Sequence, residues 1–173
     1  MKMKLVLFAL VCAVGSLNVL AQDPAMVAQK EARSYAKALM DNDYARVLAY
    51  THERVITRMG EKEAALALLK KSGDEMKIRG LAVVDARIGT PEPVRKIGVW
   101  TLSIIPESLT FRTPTAKAHQ ESHLLGISTD EGKTWKFIDL GPLSEEQFFD
   151  LFPELKGRFE LPKKEQAVLE QNP

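Results

Sequence analysis

The chain has 173 residues, with 24 lysines and arginines against 23 aspartates and glutamates, three histidines and one cysteine. A near-neutral chain without a basic stripe argues against nucleic acid as a partner, and a single cysteine excludes an internal disulfide framework. The length suits one domain with a real core.

The chain begins MKMKLVLFALVCAVGSLNVLAQ, which places Lys2 and Lys4 before an apolar run, Leu5 to Val14, too short to span a bilayer. Val19-Leu20-Ala21 supplies the moderate and small residues that cleavage needs. Residues 1–21 therefore read as a secretory signal peptide cut after Ala21, and the mature protein is expected to be secreted or periplasmic. Ser16 and Asn18 interrupt the apolar run, which weighs against an uncleaved anchor. Cys12 follows Val11 and fits a lipoprotein box poorly. Cleavage takes away the cysteine, and with it any thiol nucleophile, and two of the 24 basic residues, leaving 22 against 23 acidic ones. No later segment is apolar enough for a membrane span.

Pro24 to Met40 reads as a helix, with Ala28, Ala32, Tyr35 and Leu39 on one face. Asp41-Asn42-Asp43 breaks it, and Asp43 caps a second helix carrying Tyr44, Val47, Leu48 and Thr51. Glu53 to Met59 fits a short helix or turn. A third main helix runs from Glu61 to about Lys77, with Ala65, Leu68, Leu69, Ser72 and Met76 as its stripe and Gly73 as a point of kinking or arrest. The character then changes. Leu81 to Ile88 alternates, with Ala82, Val84, Ala86 and Ile88 on one face. Val94 to Ile105 reads as a central strand around Trp100, ended or bulged at Pro106, and Ser108 to Arg112 as a short further strand.

Ala116 to Ser128 and Lys133 to Leu140 form a hairpin. Trp135, Phe137 and Asp139 lie two apart and share a face. The connecting Ser128-x-Asp130-x-Gly132-x-x-Trp135 resembles the Asp-box, a turn motif of sialidases and other β-propellers. There it clasps a turn remote from the catalytic residues and recurs once in each blade. This chain has one copy and no repeat of that period, so the resemblance implies a locked turn and no glycosidase. After Gly141-Pro142, Ser144-x-x-Gln147 is a capping box for a short helix. Phe148, Phe149, Leu151 and Phe152 then crowd together, either to cover the sheet or to make a subunit contact. Lys163 to Pro173 reads as a polar, loose tail.

Helices first, then an antiparallel sheet ending in Trp-x-Phe, make an α+β domain. With the segment Tyr35-Ala-Lys-Ala-Leu-Met-Asp-Asn-Asp-Tyr44, this order resembles the nuclear-transport-factor-2-like superfamily, and its SnoaL-like members in particular, over about Ala25 to Leu140. The resemblance implies N-terminal helices packed on a curved, cone-like sheet across residues 22–143, followed by a C-terminal helical extension over 144–173. It implies a pocket inside the cone. Members include isomerases, dehydratases and hydrolases, and others that only bind, so the fold alone leaves function open.

His119-x-Glu121-x-His123 is the sharpest constellation. On a regular strand the three share a face, about 7 Å apart in sequence along it, within reach of one metal or one acid–base pair. A solvated or salt-bridged strand end gives the same pattern, and the want of a supporting histidine or cysteine motif favours that and no metal. Chemistry of the ketosteroid-isomerase type needs a carboxylate in an apolar pocket and a hydroxyl to hold an oxyanion. Asp85 or Asp139 can supply the first and Tyr35 or Tyr50 the second, but no spacing ties them together. Trp100 can floor a pocket or simply fill the core. His52 is placed to meet helix-end carbonyls, and Arg58 to sit in solvent. No phosphate loop, nucleophile elbow or zinc helix is present, and no cofactor is signalled. The expectation is a non-catalytic exported domain that takes a small apolar ligand, lined by Tyr35, Tyr50, Trp100, His119 and His123, or a protein partner, with a homodimer through Phe149 and Phe152 as a further form. The alternative is a small pocket enzyme with general acid–base residues among His119, Glu121, His123 and Asp85.

Overall fold

A computed structural model describes residues 22–171 of the protein; the expected signal peptide lies outside the described residues. Helices α1 (Pro24–Met40), α2 (Tyr44–Tyr50), α3 (Glu53–Arg58) and α4 (Glu61–Ile78) come first. Strands β1 (Ala82–Ile88), β2 (Arg95–Ile97), β3 (Trp100–Arg112), β4 (Ala116–Ser128) and β5 (Lys136–Asp139) follow. Helix α5 (Glu145–Leu151), a 3-10 turn at Pro153–Leu155 and strand β6 (Val168–Gln171) complete the chain. The strands make one antiparallel sheet in the order β1-β3-β4-β5, with β2 beside β3 and β6 beside β4. The sheet curls strongly into a half-barrel with helices packed against it, an α+β fold of the cone-like kind.

The helix boundaries follow from capping. Asp23 accepts from the Ala25 N–H at 3.0 Å, and Asp43 from the Arg46 N–H at 3.1 Å. Asn42 between them takes a positive φ of 55°. Helix α4 runs unbroken through Gly73, against the expected kink. The glycine is there because the Tyr44 ring lies directly on it, and a Cβ would overlap the Tyr44 hydroxyl. Leu68, expected in the stripe of this helix, is 48% exposed.

The sheet departs from the expected strands in four places. The alternation of β1 slips at a bulge between Val83 and Asp85, which turns Val84 outward. The expected strand from Val94 to Ile105 is a hairpin, β2 to β3, turned at Gly98 with φ 62°. Pro106 does not end β3. Its carbonyl accepts from the Gly89 N–H at 2.8 Å, on the side where β1 has just finished, so its missing N–H falls beyond the ladder. The tail is not loose throughout: β6 pairs with β4, Val168 opposite His119 and Leu169 opposite Ala118.

Apolar residues cover both faces of the sheet. On the inner face, Ala28, Ala32, Tyr35 and Ala38 of α1 and Val47 of α2 pack on Ile105, Leu124, Trp135 and Phe137. The alanines let the helix approach the strands closely. On the outer face, Leu102, Ile104, Leu125, Ile127 and Ile138 are covered by Phe148, Leu151, Phe152, Leu155 and Phe159. Phe148 and Phe152 are fully buried there. The aromatic cluster thus covers the sheet of its own chain. Its helix is held by the expected capping box, with Ser144 Oγ accepting from the Gln147 N–H and Gln147 Oε1 from the Ser144 N–H.

Candidate functional site: an acid pair on the inner face

The turn between β4 and β5 is locked as the Asp-box resemblance implies. Asp130 Oδ1 accepts from the Lys133 and Thr134 N–H groups and Oδ2 from the Thr134 hydroxyl, and Ser128 Oγ accepts from the Gly132 N–H at 2.8 Å. Glu131 and Gly132 both take positive φ, 63° and 87°. These donors hold the Asp130 carboxyl down at about 2. Trp135 closes the lock by donating Nε1–H to the Gly132 carbonyl at 3.0 Å, and its backbone N–H donates to Glu31 of α1 at 2.8 Å. The turn therefore fixes the register of β5 and ties it to the helix that roofs the inner face.

That register decides what stands on the inner face. Trp135 and Phe137 lead along β5 to Asp139, on the same side. Across the sheet, Ile88 of β1 is opposite Glu107 of β3, and Glu107 is opposite Ser122 of β4. Ser122 Oγ donates to Asp139 Oδ1 at 3.2 Å, and the Gly141 N–H donates to the same oxygen at 2.8 Å. A row of polar groups, Glu107, Ser122 and Asp139, thus crosses three strands on a face that is otherwise apolar, beneath Tyr35.

Glu107 is 1% exposed, and neither of its carboxyl oxygens has a hydrogen-bond partner among the described residues. Burial, and then the nearby Asp139 carboxyl, push it up to about 8. Burial also raises Asp139, against the pull of its bonds to Gly141 and Ser122 and the charge of Lys164. The Tyr35 hydroxyl is held neutral by burial and by both carboxyls. Near pH 7 the row is therefore a protonated Glu107 beside a hydrogen-bonded Asp139, two acids set apart by their surroundings.

Beside the row, the edge of β4 is only partly paired. Strand β5 occupies Leu124–Ile127 of that edge and β6 occupies Ala116–His119. Between them a cleft of about 50 Å³ is lined by Gln120, Glu121, Ser122, His123, Gly141 and Lys164, among others; it meets the row only through Ser122 and Gly141, the two donors to Asp139. Gly141 is required at this mouth, because a Cβ would lie 2.8 Å from Ser122 Oγ and 3.1 Å from Asp139 Oδ1. Lys164 reaches in from the C-terminal segment and donates to the Gly141 carbonyl at 2.9 Å.

Of the residues singled out in the sequence, Tyr35 and Asp139 come together here. Tyr50 stands close by, half-buried, its ring 6.3 Å from Phe137. The others lie off the acid row, Glu121 and His123 on the wall of the edge cleft. Asp85 pairs with Arg87 at 2.8 Å at an outward-facing patch. His119, Glu121 and His123 share a face, as expected, but it is the outer one, continuous with Leu125 and Ile127. His119 lies 3.1 Å from both Thr110 Oγ1 and Glu170, and Glu121 is exposed. Among the described residues no group of three metal-ligating side chains is close enough to hold an ion. Trp100 lies edge-on to Phe152 at 5.7 Å under the guanidinium of Arg54, away from the acid row. His52 begins α3 rather than closing α2, its Nδ1 accepting from the Arg54 N–H at 3.2 Å. Glu107, Ser122, Gln120 and Gly141 were not singled out from the sequence. The available signal was a glutamate between Ile105 and Leu109, two apart on one face of an apolar strand.

No family model, curated protein or solved structure matches the chain.

Proposed function

We infer that the protein is an exported ligand-binding domain of the nuclear-transport-factor-2-like kind, and that its ligand docks on the inner face against Glu107, Asp139 and Tyr35. The observation that carries this reading is the buried carboxyl of Glu107, both oxygens unpartnered among the described residues. A buried polar group without a partner costs roughly 1–3 kcal/mol. A side chain held at such a cost in an otherwise apolar layer fits a binding role better than a structural one. The order of elements and the curled sheet support the family resemblance, and the aromatic segment, buried within its own chain, gives no support to a protein partner there.

The test is native mass spectrometry of the protein purified from the cell that exports it, with Glu107→Leu in parallel. Binding predicts a retained small mass that the variant loses, together with a variant at least as stable as the parent at pH 8. A clearly destabilised variant would give Glu107 a structural role instead.

The same pair supports a second reading, general acid–base catalysis, because a buried, protonated Glu107 stands near a second carboxyl, Asp139, in a different, hydrogen-bonded setting. Asp139→Asn separates the two. A binding domain loses only affinity, whereas an enzyme loses turnover by orders of magnitude.

A further inference from the structure

We propose that the protein carries a further binding site, away from the acid row and independent of it: a cavity between the helices and the first strand that takes a single-ring aromatic molecule bearing a hydroxyl, a phenol.

The cavity measures about 130 Å³ and lies where the end of α1, the start of α2 and the second half of α4 meet β1. Its walls are Leu39, Met40, Met76, Leu81, Ala82 and Val83, all half-buried. None of Glu107, Asp139 and Tyr35 lines it. Protein interiors leave few voids larger than a water molecule. Six apolar side chains around an unfilled, partly enclosed space therefore mark a seat for something apolar. An engineered apolar cavity of about 150 Å³ stays dry and takes up benzene, so this one has room for a six-membered ring. Two of its walls are thioethers, Met40 and Met76, which adapt in shape and favour contact with an aromatic ring.

The hydroxyl follows from Tyr44, which lines the same cavity. The chain makes two local concessions to hold it at the rim. Helix α4 gives up a side chain at Gly73, where a Cβ would overlap the Tyr44 hydroxyl, and Asn42 takes its positive φ of 55°. Departures from local preference of this kind gather at functional sites. Their result is a Tyr44 hydroxyl that donates to Asn42 Oδ1 at 2.9 Å. With its proton committed, the Tyr44 oxygen is left to accept. A hydroxyl on the incoming ring supplies the donor, which a hydrocarbon or a carboxylate does not. Lys77 at the mouth is balanced by Asp74 at 3.7 Å, so the site offers no unbalanced charge to an anion.

The test uses the full chain with carbon-13-labelled methionine methyl groups and three probes of similar size, phenol, benzene and cyclohexanol. Phenol should shift Met40 and Met76 saturably and leave Met26 and Met59, which line no part of the cavity, in place. Benzene lacks the hydroxyl and should bind roughly fivefold more weakly, the worth of one net hydrogen bond. Cyclohexanol lacks the aromatic face and should also bind more weakly. Tyr44→Phe keeps the ring and should bring phenol down to the level of benzene. Ala82→Leu should fill the space and abolish binding, with Tm kept or raised. Phenol that shifts neither Met40 nor Met76 at millimolar concentration, or that still binds a folded Ala82→Leu, overturns the site. Benzene binding as tightly as phenol, or phenol binding Tyr44→Phe undiminished, overturns the hydroxyl, and cyclohexanol binding as tightly overturns the ring. Were Ala82→Leu to fail to fold, the methyl shifts and Tyr44→Phe still decide.

Discussion

Glu107 should make the fold lose stability towards alkaline pH. Its carboxyl is raised to about 8 when folded, against an ordinary value of 4.5. Between these values the folded chain keeps a proton that the unfolded chain releases, so stability falls as pH rises through that window, by at most about 1.4 kcal/mol per pH unit. Asp139 is raised as well and acts in the same direction. Thermal melts from pH 5 to 8 should show Tm declining, and Glu107→Gln should flatten most of the decline; an equally steep slope in the variant would remove Glu107 as its source. Glu107 is hidden in the sequence because a proline ordinarily ends or bulges a strand, which cuts the row Ile105, Glu107, Leu109 in two. Pro106 sits where β1 has ended, so the strand continues, and only the tertiary ladder reveals that. Gly73 is opaque in the sequence for a related reason. Glycine inside a helix ordinarily weakens it, but here it makes room for the Tyr44 ring. Gly73→Ala should therefore destabilise by roughly 1–3 kcal/mol, against the usual helix preference. In a double-mutant cycle with Tyr44→Ala the loss should shrink or reverse.

Among the elements, the β4–β5 turn was the most legible, because Ser128, Asp130, Gly132 and Trp135 bond mainly to one another and to local backbone. Local chemistry of this kind is written at fixed spacing. Asp130→Ala removes four backbone or hydroxyl partners at once and frees β5, at a cost on the order of 2 kcal/mol in urea unfolding. Asp130 is held at about 2, below its ordinary 3.8. Its contribution is complete above the ordinary value and is lost as pH falls through the folded one, so the variant should also blunt acid unfolding between pH 4 and 2. The capping box of α5 was legible on the same grounds, and Ser144→Ala should cost about 1 kcal/mol. The bulge in β1 and the pairing of β6 were not legible. A bulge adds one residue to an alternation that otherwise reads cleanly, and β6 is held by a ladder while Val168 and Leu169 remain 66% and 70% exposed. Neither leaves a hydrophobic pattern in the sequence.

At the scale of the molecule, the sequence pointed to helices followed by an antiparallel sheet, and that order holds. What it left open was which face of the sheet each layer takes. Alternation separates the two faces of a strand but does not say which one meets the helices. Hence His119, Glu121 and His123 were grouped correctly yet lie on the outer face, whereas Tyr35 and Asp139, far apart in the chain, meet on the inner one. The two carboxyl effects also combine into one profile. Alkaline loss from Glu107 and acid loss from Asp130 should place the stability maximum near pH 4–5, below neutrality; a maximum above pH 7 would show that other groups dominate.

The outer layer imposes an order on how the chain can mature. Leu102, Ile104, Leu125 and Ile127 are covered by residues that lie between Phe148 and Phe159, near the end of the chain. During synthesis, α1 to β5 can emerge and pair while a broad apolar face still has nothing on it. Phe148 to Phe159 supply that cover, so the apolar face should be prone to aggregation until they arrive. A chain ended after Leu143 should aggregate, and adding residues 144–173 as a separate peptide during refolding should rescue part of it into soluble, heat-cooperative protein.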